Sequence, residues 1–192
     1  MKYSDIYRLY STSQPKDAIH QALREVPVDD SDEQYEDRSP LHLACQYGDA
    51  EGVKILLERD AEPNTKDANG STPIHILGRT SADRADEDKL KEIAVMLMEH
   101  GANIPRSAKN TTALIECVRN RHFKMAEAII NSGARVNSTD LNGENVLFGL
   151  CAASGDIKRD IQFAKKELDE SVQYSYPENK IEEIRSRIAR LE

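Results

Sequence analysis

The sequence predicts an all-α solenoid built from stacked helix-turn-helix units that are joined by short β-turn fingers. Three observations support this fold class: an internal period of 33 residues, apolar residues at helical spacing within each unit, and turn-forming residues between units. Two short amphipathic helices cannot bury both of their apolar faces alone, so each unit needs neighbours. We therefore expect the stability of the chain to depend on contacts between units.

The first two helices are predicted over residues 4–10 and 15–24. The second of them carries an apolar stripe at the spacing of one helical face, formed by Ala18, Ile19, Ala22 and Leu23. Leu23 precedes Pro40 by 17 residues, much as Leu57 precedes Pro73 by 16. This pair is interpreted as a divergent capping unit at the N-terminal end of the stack.

The repeat becomes visible when the chain is aligned with itself. Residues 39–43 (SPLHL) match residues 72–76 (TPIHI) at an offset of 33 residues. The match continues at Ala113, 40 residues after Pro73, and at Val146 after a further 33 residues. The longer step indicates an insertion of eight residues between the two helices of the second unit. A proline at the first position of a helix costs no hydrogen bond, so the first helices begin at these prolines.

The second helices share one apolar pattern and are predicted over residues 53–57, 94–98 and 126–130. Gly101 and Gly133 follow two of them, where glycine favours a left-handed C-terminal cap. The first repeat has Asp60 there instead, at a cost of about 1 kcal/mol if its backbone is left-handed. Asn-Gly at residues 69–70 and 142–143 predicts tight turns at the finger tips.

The C-terminal part of the chain matches the repeat less closely. The fourth unit, around Val146, lacks the proline and the histidine of the first two units. Beyond it, one face of a predicted helix is apolar, at Ile181, Ile184, Ile188 and Leu191. We expect this terminal helix to pack its apolar face on the fourth unit.

The motif and its period resemble the ankyrin-repeat family, in which TPLHxA opens the first of two helices after a β-turn. Residues 39–44 and 72–76 carry the closest match, and the resemblance covers residues 29–164. The resemblance implies an organisation in six parts: a divergent N-terminal capping repeat (1–36), repeat one (37–69), repeat two with the insertion (70–109), repeat three (110–142), a divergent repeat four (143–176) and a C-terminal capping helix (177–192).

Composition narrows the class of protein and of partner. The chain has 192 residues, 26 Lys and Arg against 34 Asp and Glu, and a formal net charge of −8. It lacks the excess of basic side chains that neutralises phosphates, so no nucleic-acid partner is expected. The longest apolar run, residues 146–153, is shorter than a membrane span, and no secretion signal opens the sequence. We expect no membrane association and a cytoplasmic location, with the nucleus or a pathogen's host cytosol as alternatives.

No catalytic residue, cofactor or metal site is expected. The resemblance implies a structural hydrogen bond near the helix start for His42 and His75. The other histidines have neither HxxxH nor HExxH spacing: His20, His100 and His122. Three cysteines without a CxxC pair are predicted to be reduced, buried thiols of first helices: Cys45, Cys117 and Cys151. We therefore expect a protein that is not an enzyme.

Two charged segments each have two interpretations. Residues 29–37 place six carboxylates in nine residues, either as a solvated loop or as a surface that steers a basic partner. In the insertion, Asp83, Asp86, Glu87 and Asp88 precede the predicted helix 90–99 and suit the positive end of its dipole. The insertion is therefore either an extended helix start or a specificity loop.

The resemblance implies a concave partner-binding face made of the finger tips and the exposed side of the first helices. Mapping the repeat position by position selects 16 residues: Tyr35, Glu36, Arg38, Gln46, Tyr47, Asn69, Ser71, Arg79, Thr80, Lys109, Thr111, Arg119, Asn120, Leu141, Asn142 and Glu144. Aromatic and arginine side chains dominate interface hot spots, so the preferred anchors are Tyr35, Tyr47, Arg79 and Arg119.

These observations favour a non-catalytic module that binds another protein, as an adaptor, scaffold or inhibitor. The partner's identity stays open, although the acidic segment suits a basic patch on it, and the chain is expected to be a monomer. One alternative is a regulatory or targeting arm of a larger enzyme or effector whose catalytic part lies outside this chain. The other is a structural spacer or self-associating unit without an external ligand.

Overall fold

The computed structural model describes residues 1–81, 83–103, 112–134 and 186. Within this part of the chain, four helix-turn-helix pairs follow one another: α1 (Tyr3–Ser11) and α2 (Lys16–Glu25), α3 (Pro40–Gln46) and α4 (Ala50–Leu57), α5 (Pro73–Gly78) and α6 (Glu87–Glu99), and α7 (Ala113–Arg119) and α8 (Phe123–Asn131). A 3₁₀ turn spans Glu33–Tyr35. Repeat four, Cys151 and most of the predicted C-terminal helix lie outside the described residues, apart from Ser186, which is helical.

The helices form two layers. The first helices α1, α3, α5 and α7 pack against one another in chain order, and so do the second helices α2, α4, α6 and α8. Each first helix also packs on its own second helix. The predicted all-α stack of helix-turn-helix units is therefore confirmed for the described residues.

One hydrophobic core runs through all four pairs. Each second helix contributes at least one fully buried side chain to it: Leu23, Leu56, Leu97 and Ile129. The first pair of helices packs on the second pair as later pairs do. In α2 the buried stripe is Ile19, Ala22 and Leu23, continued by Val26 just after the helix, whereas Ala18 is exposed, so the prediction for Ala18 is wrong. The helix presents one face to α4, and Ala18 lies beyond its edge.

The first helices begin as the sequence predicts. Pro40 and Pro73 occupy the first helical turn, after Ser39 and Thr72 as N-caps. The backbone N–H of Ser39 donates to Nδ1 of His42 at 3.1 Å, so the ring proton resides on Nε2. That Nε2–H donates to the carbonyl oxygen of Ser71, in the next finger, at 3.0 Å. The expected structural role of this histidine is confirmed, and it joins two repeats.

The C-terminal carbonyls of several helices are capped by side chains of the following repeat. The Arg59 guanidinium donates to the carbonyls of Leu23 and Val26 at the end of α2. Likewise, the Asn120 amide donates to the Gly78 carbonyl at the end of α5, at 3.1 Å. These carbonyls have no N–H partner within their own helix, so each cap also links neighbouring units.

The insertion of repeat two both lengthens the second helix and packs on repeat one. Helix α6 begins at Glu87, three residues before the predicted start, and Asp86 is its N-cap, accepting from the Lys89 N–H at 2.9 Å. Ala85 is buried, at 5% exposure, against the turn between α3 and α4. The extended helix start therefore explains only the last part of the insertion.

Among the described residues, no helix has the length and apolar content that crossing a lipid bilayer requires.

Candidate protein-binding face

The buried thiols are packing residues. Cys45 and Cys117 are free and completely buried, and this burial raises the pKa of both thiols. A nucleophilic cysteine needs the opposite shift, towards the thiolate. Cys151 lies outside the described residues. The described residues also bring together no three His, Cys, Asp or Glu side chains that could hold a metal ion.

A buried polar cluster at the start of α4 escaped the sequence prediction. The Asp49 carboxylate, 6% exposed, accepts from the Gly52 N–H at 3.2 Å and from the Tyr10 hydroxyl at 2.8 Å. Nε2 of His20 lies 3.0 Å from both of its oxygens. Burial, followed by the Asp49 charge, raises the pKa of Tyr10. The carboxylate thus caps α4 and ties both helices of the capping unit to repeat one.

The segment between α2 and α3, residues 29–38, is named finger one, and its Tyr35, Glu36 and Arg38 are partly or fully exposed. The ring of Tyr35 packs against the ring of Tyr7 with 4.3 Å between centroids. The Arg38 guanidinium lies 2.6 Å from a carboxylate oxygen of Glu36 and 3.0 Å from Oε1 of Gln46, at the far end of α3. Three predicted face residues of repeat one are therefore held together by side-chain bonds.

The acidic segment of finger one is partly used inside the fold. Asp30 accepts from the Tyr3 N–H at 3.0 Å, and Asp32 accepts from the Gln34 N–H at 2.9 Å as the cap of the 3₁₀ turn. Glu33 and Asp29 remain exposed. Asp29 also accepts from the Glu62 N–H at 3.4 Å, so three of the six carboxylates have structural bonds that neither interpretation of the segment predicted.

Tyr47 is a pre-positioned aromatic residue at the end of α3. Its half-buried ring stacks on the ring of Tyr10, with 4.8 Å between centroids and 19° between planes. The guanidinium of Arg84 lies 4.5 Å from the Tyr47 ring centroid. The ring is therefore held on one side by α1 and contacted by the insertion, which fixes its position.

In repeats two and three the predicted face is divided between bonded and exposed side chains. Arg79 donates to Oγ of Ser71 at 3.1 Å and to Oε1 of Glu116, in α7, at 2.9 Å. Asn69 is half-buried beside the turn that Asp67 closes, where Oδ1 of Asp67 accepts from the Asn69 N–H at 2.9 Å. Arg119 and Asn120 are exposed at the end of α7.

Two predicted face residues are corrected by the structure. Ser71 is completely buried, and its N–H donates to Asp67 while its carbonyl accepts from His42. Thr80, 2% exposed, donates its hydroxyl to the Cys45 carbonyl at 3.0 Å. The Ser71 hydroxyl accepts from Arg79 of its own repeat and the Thr80 hydroxyl bonds to repeat one, so both buried side chains are closed to a partner. The remaining predicted residues lie outside the described part of the chain: Lys109, Thr111, Leu141, Asn142 and Glu144.

Two side chains of this face were missed by the sequence prediction. Tyr7 packs on Tyr35, and its spacing from Tyr3 and Tyr10 places all three tyrosines on one side of α1, a signal that was available in the sequence. Arg84 covers Tyr47 from the insertion. No periodic signal could identify Arg84, because the insertion has no counterpart in the other repeats.

Two family models and several known proteins are similar to this chain in sequence. A family model described as ankyrin repeats (many copies) matches residues 22–77, and one described as ankyrin repeat matches residues 109–141. The chain is 39% identical over 62 residues, 32% of its length, to the transient receptor potential cation channel subfamily A member 1 homolog of Caenorhabditis elegans, covering 5% of that protein.

Two other relatives match a larger part of the chain. It is 34% identical over 115 residues, 59% of its length, to neurogenic locus notch homolog protein 1 of Mus musculus, covering 4% of that protein. It is 29% identical over 124 residues, 64% of its length, to ankyrin repeat protein nuc-2 of Neurospora crassa, covering 10% of that protein. The chain thus spans a tenth or less of the length of these relatives.

Proposed function

Because the chain belongs to the ankyrin-repeat family, a family of protein–protein interaction modules, we propose that it binds a partner protein on the face formed by its fingers and first helices. In this proposal it acts without catalysis, as an adaptor, scaffold or inhibitor that occludes or tethers its partner. The division into a capping repeat (1–36), repeats one to four (37–69, 70–109, 110–142 and 143–176) and a capping helix (177–192) is part of the same proposal.

The observation that carries the proposal is the pre-ordering of side chains on this face. Tyr47 is held between Tyr10 and Arg84, and Tyr35 is held against Tyr7. Aromatic side chains that are already immobilised lose little conformational entropy when they become buried at an interface. Such positions suit hot spots for a protein partner better than freely rotating surface residues do.

The charge of finger one supports a partner with a basic patch. Glu33 and Asp29 are exposed, and Glu36 keeps about half of its side chain accessible beside Arg38. Like charges within a Debye length of about 8 Å reinforce one another's field at physiological salt. We propose that this field orients a basic protein surface towards the finger. The proposed module is a monomer of the cytoplasm that binds no nucleic acid and no membrane.

The test is affinity capture with the intact chain and a variant carrying Tyr47→Ala and Arg119→Ala. Arg79 is left unchanged, because Arg79→Ala would remove an ion-pair partner of Glu116, which is 8% exposed. We expect the variant to lose at least tenfold in the recovery of a specific partner.

The matched control carries Lys54→Ala and Lys91→Ala on the exposed side of the second helices α4 and α6. The control should capture the partner as the native chain does, and circular dichroism should show all three proteins to be folded. Equal capture by the face variant and the native chain would place the interface elsewhere.

A second candidate function is a regulatory or targeting arm of a larger protein. The observation that favours it is the length of the relatives, of which the chain covers 4–10%. Sequencing the full transcript distinguishes the two: a catalytic or channel domain encoded in the same reading frame supports the arm, and its absence supports the independent module.

A further inference from the structure

The insertion of repeat two lies against the repeats on both of its sides. Its described residues, 80–81 and 83–88, connect the end of α5 to the first turn of α6, and we name them the strap. A longer helix start accounts for Asp86 to Asp88 alone. The remaining residues of the strap make bonds that the start of this helix does not require.

On the side of repeat one, the strap bonds to the C-terminal end of α3. The Thr80 hydroxyl donates to the Cys45 carbonyl at 3.0 Å, and the Arg84 guanidinium donates to the Gln46 carbonyl at 3.1 Å. Both acceptors belong to the last four carbonyls of α3, which have no N–H partner inside the helix. The strap therefore caps a helix of the neighbouring repeat.

Close packing accompanies these bonds. Ala85 is 5% exposed, and its methyl group lies so near Gly48 that a Cβ atom on this glycine would be 2.3 Å from it. The Arg84 guanidinium also covers the Tyr47 ring at 4.5 Å. The α3–α4 turn of repeat one and the strap are thus shaped to each other.

On the side of repeat three, the strap is bonded again. Nε2 of His122, the residue before α8, donates to the Thr80 carbonyl at 2.6 Å. The Lys124 ammonium lies 2.6 Å from both oxygens of the Asp88 carboxylate. Thr80 is therefore bonded to both neighbours, through its hydroxyl to repeat one and through its carbonyl to repeat three.

We propose that the strap is a coupling device that makes repeats one, two and three open as a single cooperative unit. In a linear stack each repeat contacts only its neighbours, so cooperativity depends on the free energy of the interfaces relative to that of each repeat. Bonds from the strap add to both interfaces of repeat two. Opening repeat one alone then breaks strap contacts as well as the helix–helix contacts.

The test is native-state hydrogen exchange on the intact chain, comparing Thr80→Val with Arg84→Ala as a double variant against the native sequence. These changes remove the side-chain bonds to α3 and leave the Thr80 carbonyl, and hence its bond from His122, in place. We expect the amides of α3 and α4 to lose at least tenfold in protection relative to those of α7 and α8. Such a change means that repeat one has gained an opening of its own.

The control is Asp83→Ala, an exposed strap residue whose side chain bonds to none of the described residues. It should leave the ratio of protection between repeats one and three unchanged. An equal loss of protection in all four helices of the double variant would overturn the proposal, because the strap would then add stability without coupling. Unchanged protection would overturn it as well.

If the double variant does not fold, Arg84→Ala alone serves, since this side chain is exposed and its loss leaves no cavity. We expect at least a threefold loss of protection in α3 and α4 relative to α7 and α8. A ratio equal to that of the native chain would contradict the coupling role.

Discussion

Asp60 occupies a left-handed backbone position that glycine fills in the next two repeats. Its φ is 62°, and the equivalent Gly101 and Gly133 have φ of 87° and 90°. The backbone bonds agree too: the Asp60 N–H donates to the Leu57 carbonyl, as the Gly101 N–H donates to the Met98 carbonyl. Aspartate replaces the glycine of the other repeats, yet the backbone keeps the same conformation. This left-handed conformation strains a residue that has a Cβ atom.

We therefore predict that Asp60→Gly stabilises the protein by about 1 kcal/mol. Glycine relieves the left-handed strain, and the change also removes a negative charge from the C-terminal end of α4, where the helix dipole disfavours it. Urea denaturation followed by circular dichroism measures the difference. The control Asp60→Ala removes the charge but keeps a Cβ atom in the left-handed region, which alanine tolerates less well than aspartate, so it should not stabilise the protein. Equal gains from both variants would mean that strain is not the cause.

His42 links stability to pH. Burial lowers its pKa to about 4, because the completely enclosed ring loses the solvation of its charged form, while the bond to the Ser71 carbonyl acts in the opposite direction and is the smaller effect. In the unfolded chain the pKa is about 6.5. Between these values the unfolded state binds a proton that the folded state does not, so this residue's contribution to stability falls as the pH falls from 6.5 to 4, by roughly 3 kcal/mol.

The measurement is the free energy of unfolding between pH 7.5 and 4.5 for the native chain and for His42→Asn. We expect the variant to be less stable at pH 7.5. Its free energy of unfolding should fall less steeply as the pH falls, by the slope that corresponds to about one bound proton. Parallel curves would show that His42 titrates alike in both states. His122, whose pKa burial also lowers, contributes in the same direction and remains in both proteins.

At the scale of elements, the turn between α3 and α4 shows how an insertion constrains a distant glycine. Gly48 has φ of 60°, and a Cβ atom there would lie 2.3 Å from the Ala85 methyl carbon. Gly101 is also left-handed, at 87°, but has no atom within 4 Å of such a Cβ. Substitution at these two glycines therefore distinguishes the cost of the backbone conformation from the cost of close packing.

We predict that Gly48→Ala costs at least 2 kcal/mol and Gly101→Ala about 1 kcal/mol. Gly101→Ala is destabilised only by the left-handed backbone. Gly48→Ala must also displace the strap from repeat one. Thermal unfolding of both variants checks the difference. Equal losses at the two positions would show that the strap yields to the extra methyl group without cost.

At the scale of the whole molecule, the stack is held by bonds that cross from one repeat to the next. His42 donates to the carbonyl of Ser71, which precedes α5, and Arg79 donates to Glu116 in α7. Arg59 donates to the Val26 carbonyl at the end of α2. Each of these side chains belongs to one repeat, and its hydrogen-bond acceptor belongs to a neighbouring one. The same geometry leaves finger one as an acidic surface at the N-terminal side of the stack.

We predict that the association rate with a captured partner falls about tenfold between 0.05 M and 0.5 M salt, because screening weakens the attraction to the acidic finger. Stopped-flow measurements check this dependence. Asp29→Asn with Glu33→Gln should reduce the salt dependence, whereas Glu51→Gln with Glu92→Gln, on the second helices, should leave it as it is. An unchanged dependence in the finger variant would mean that this charge does not steer the partner.

The sequence alone determined the repeating unit, because its period, its proline starts and its turn residues are local signals that act within a few residues of chain. The family resemblance, rather than a local signal, implied the structural role of His42, and the position of Asp60 in the repeat raised the cost of a left-handed backbone there as a condition that the structure meets. The sequence also selected Tyr35, Tyr47 and Arg119, whose positions outside the core follow from the period.

Only the tertiary structure decided which distant residues each side chain contacts. The bonds of the buried Ser71 and Thr80 side chains, the bridge from Arg79 to Glu116 and the position of Arg84 over Tyr47 join residues eight to 37 positions apart. Such contacts depend on how far one unit is rotated and shifted on the next, which periodicity does not specify. The physical reason is that stacking, rather than local propensity, determines which polar atoms lie within hydrogen-bond distance.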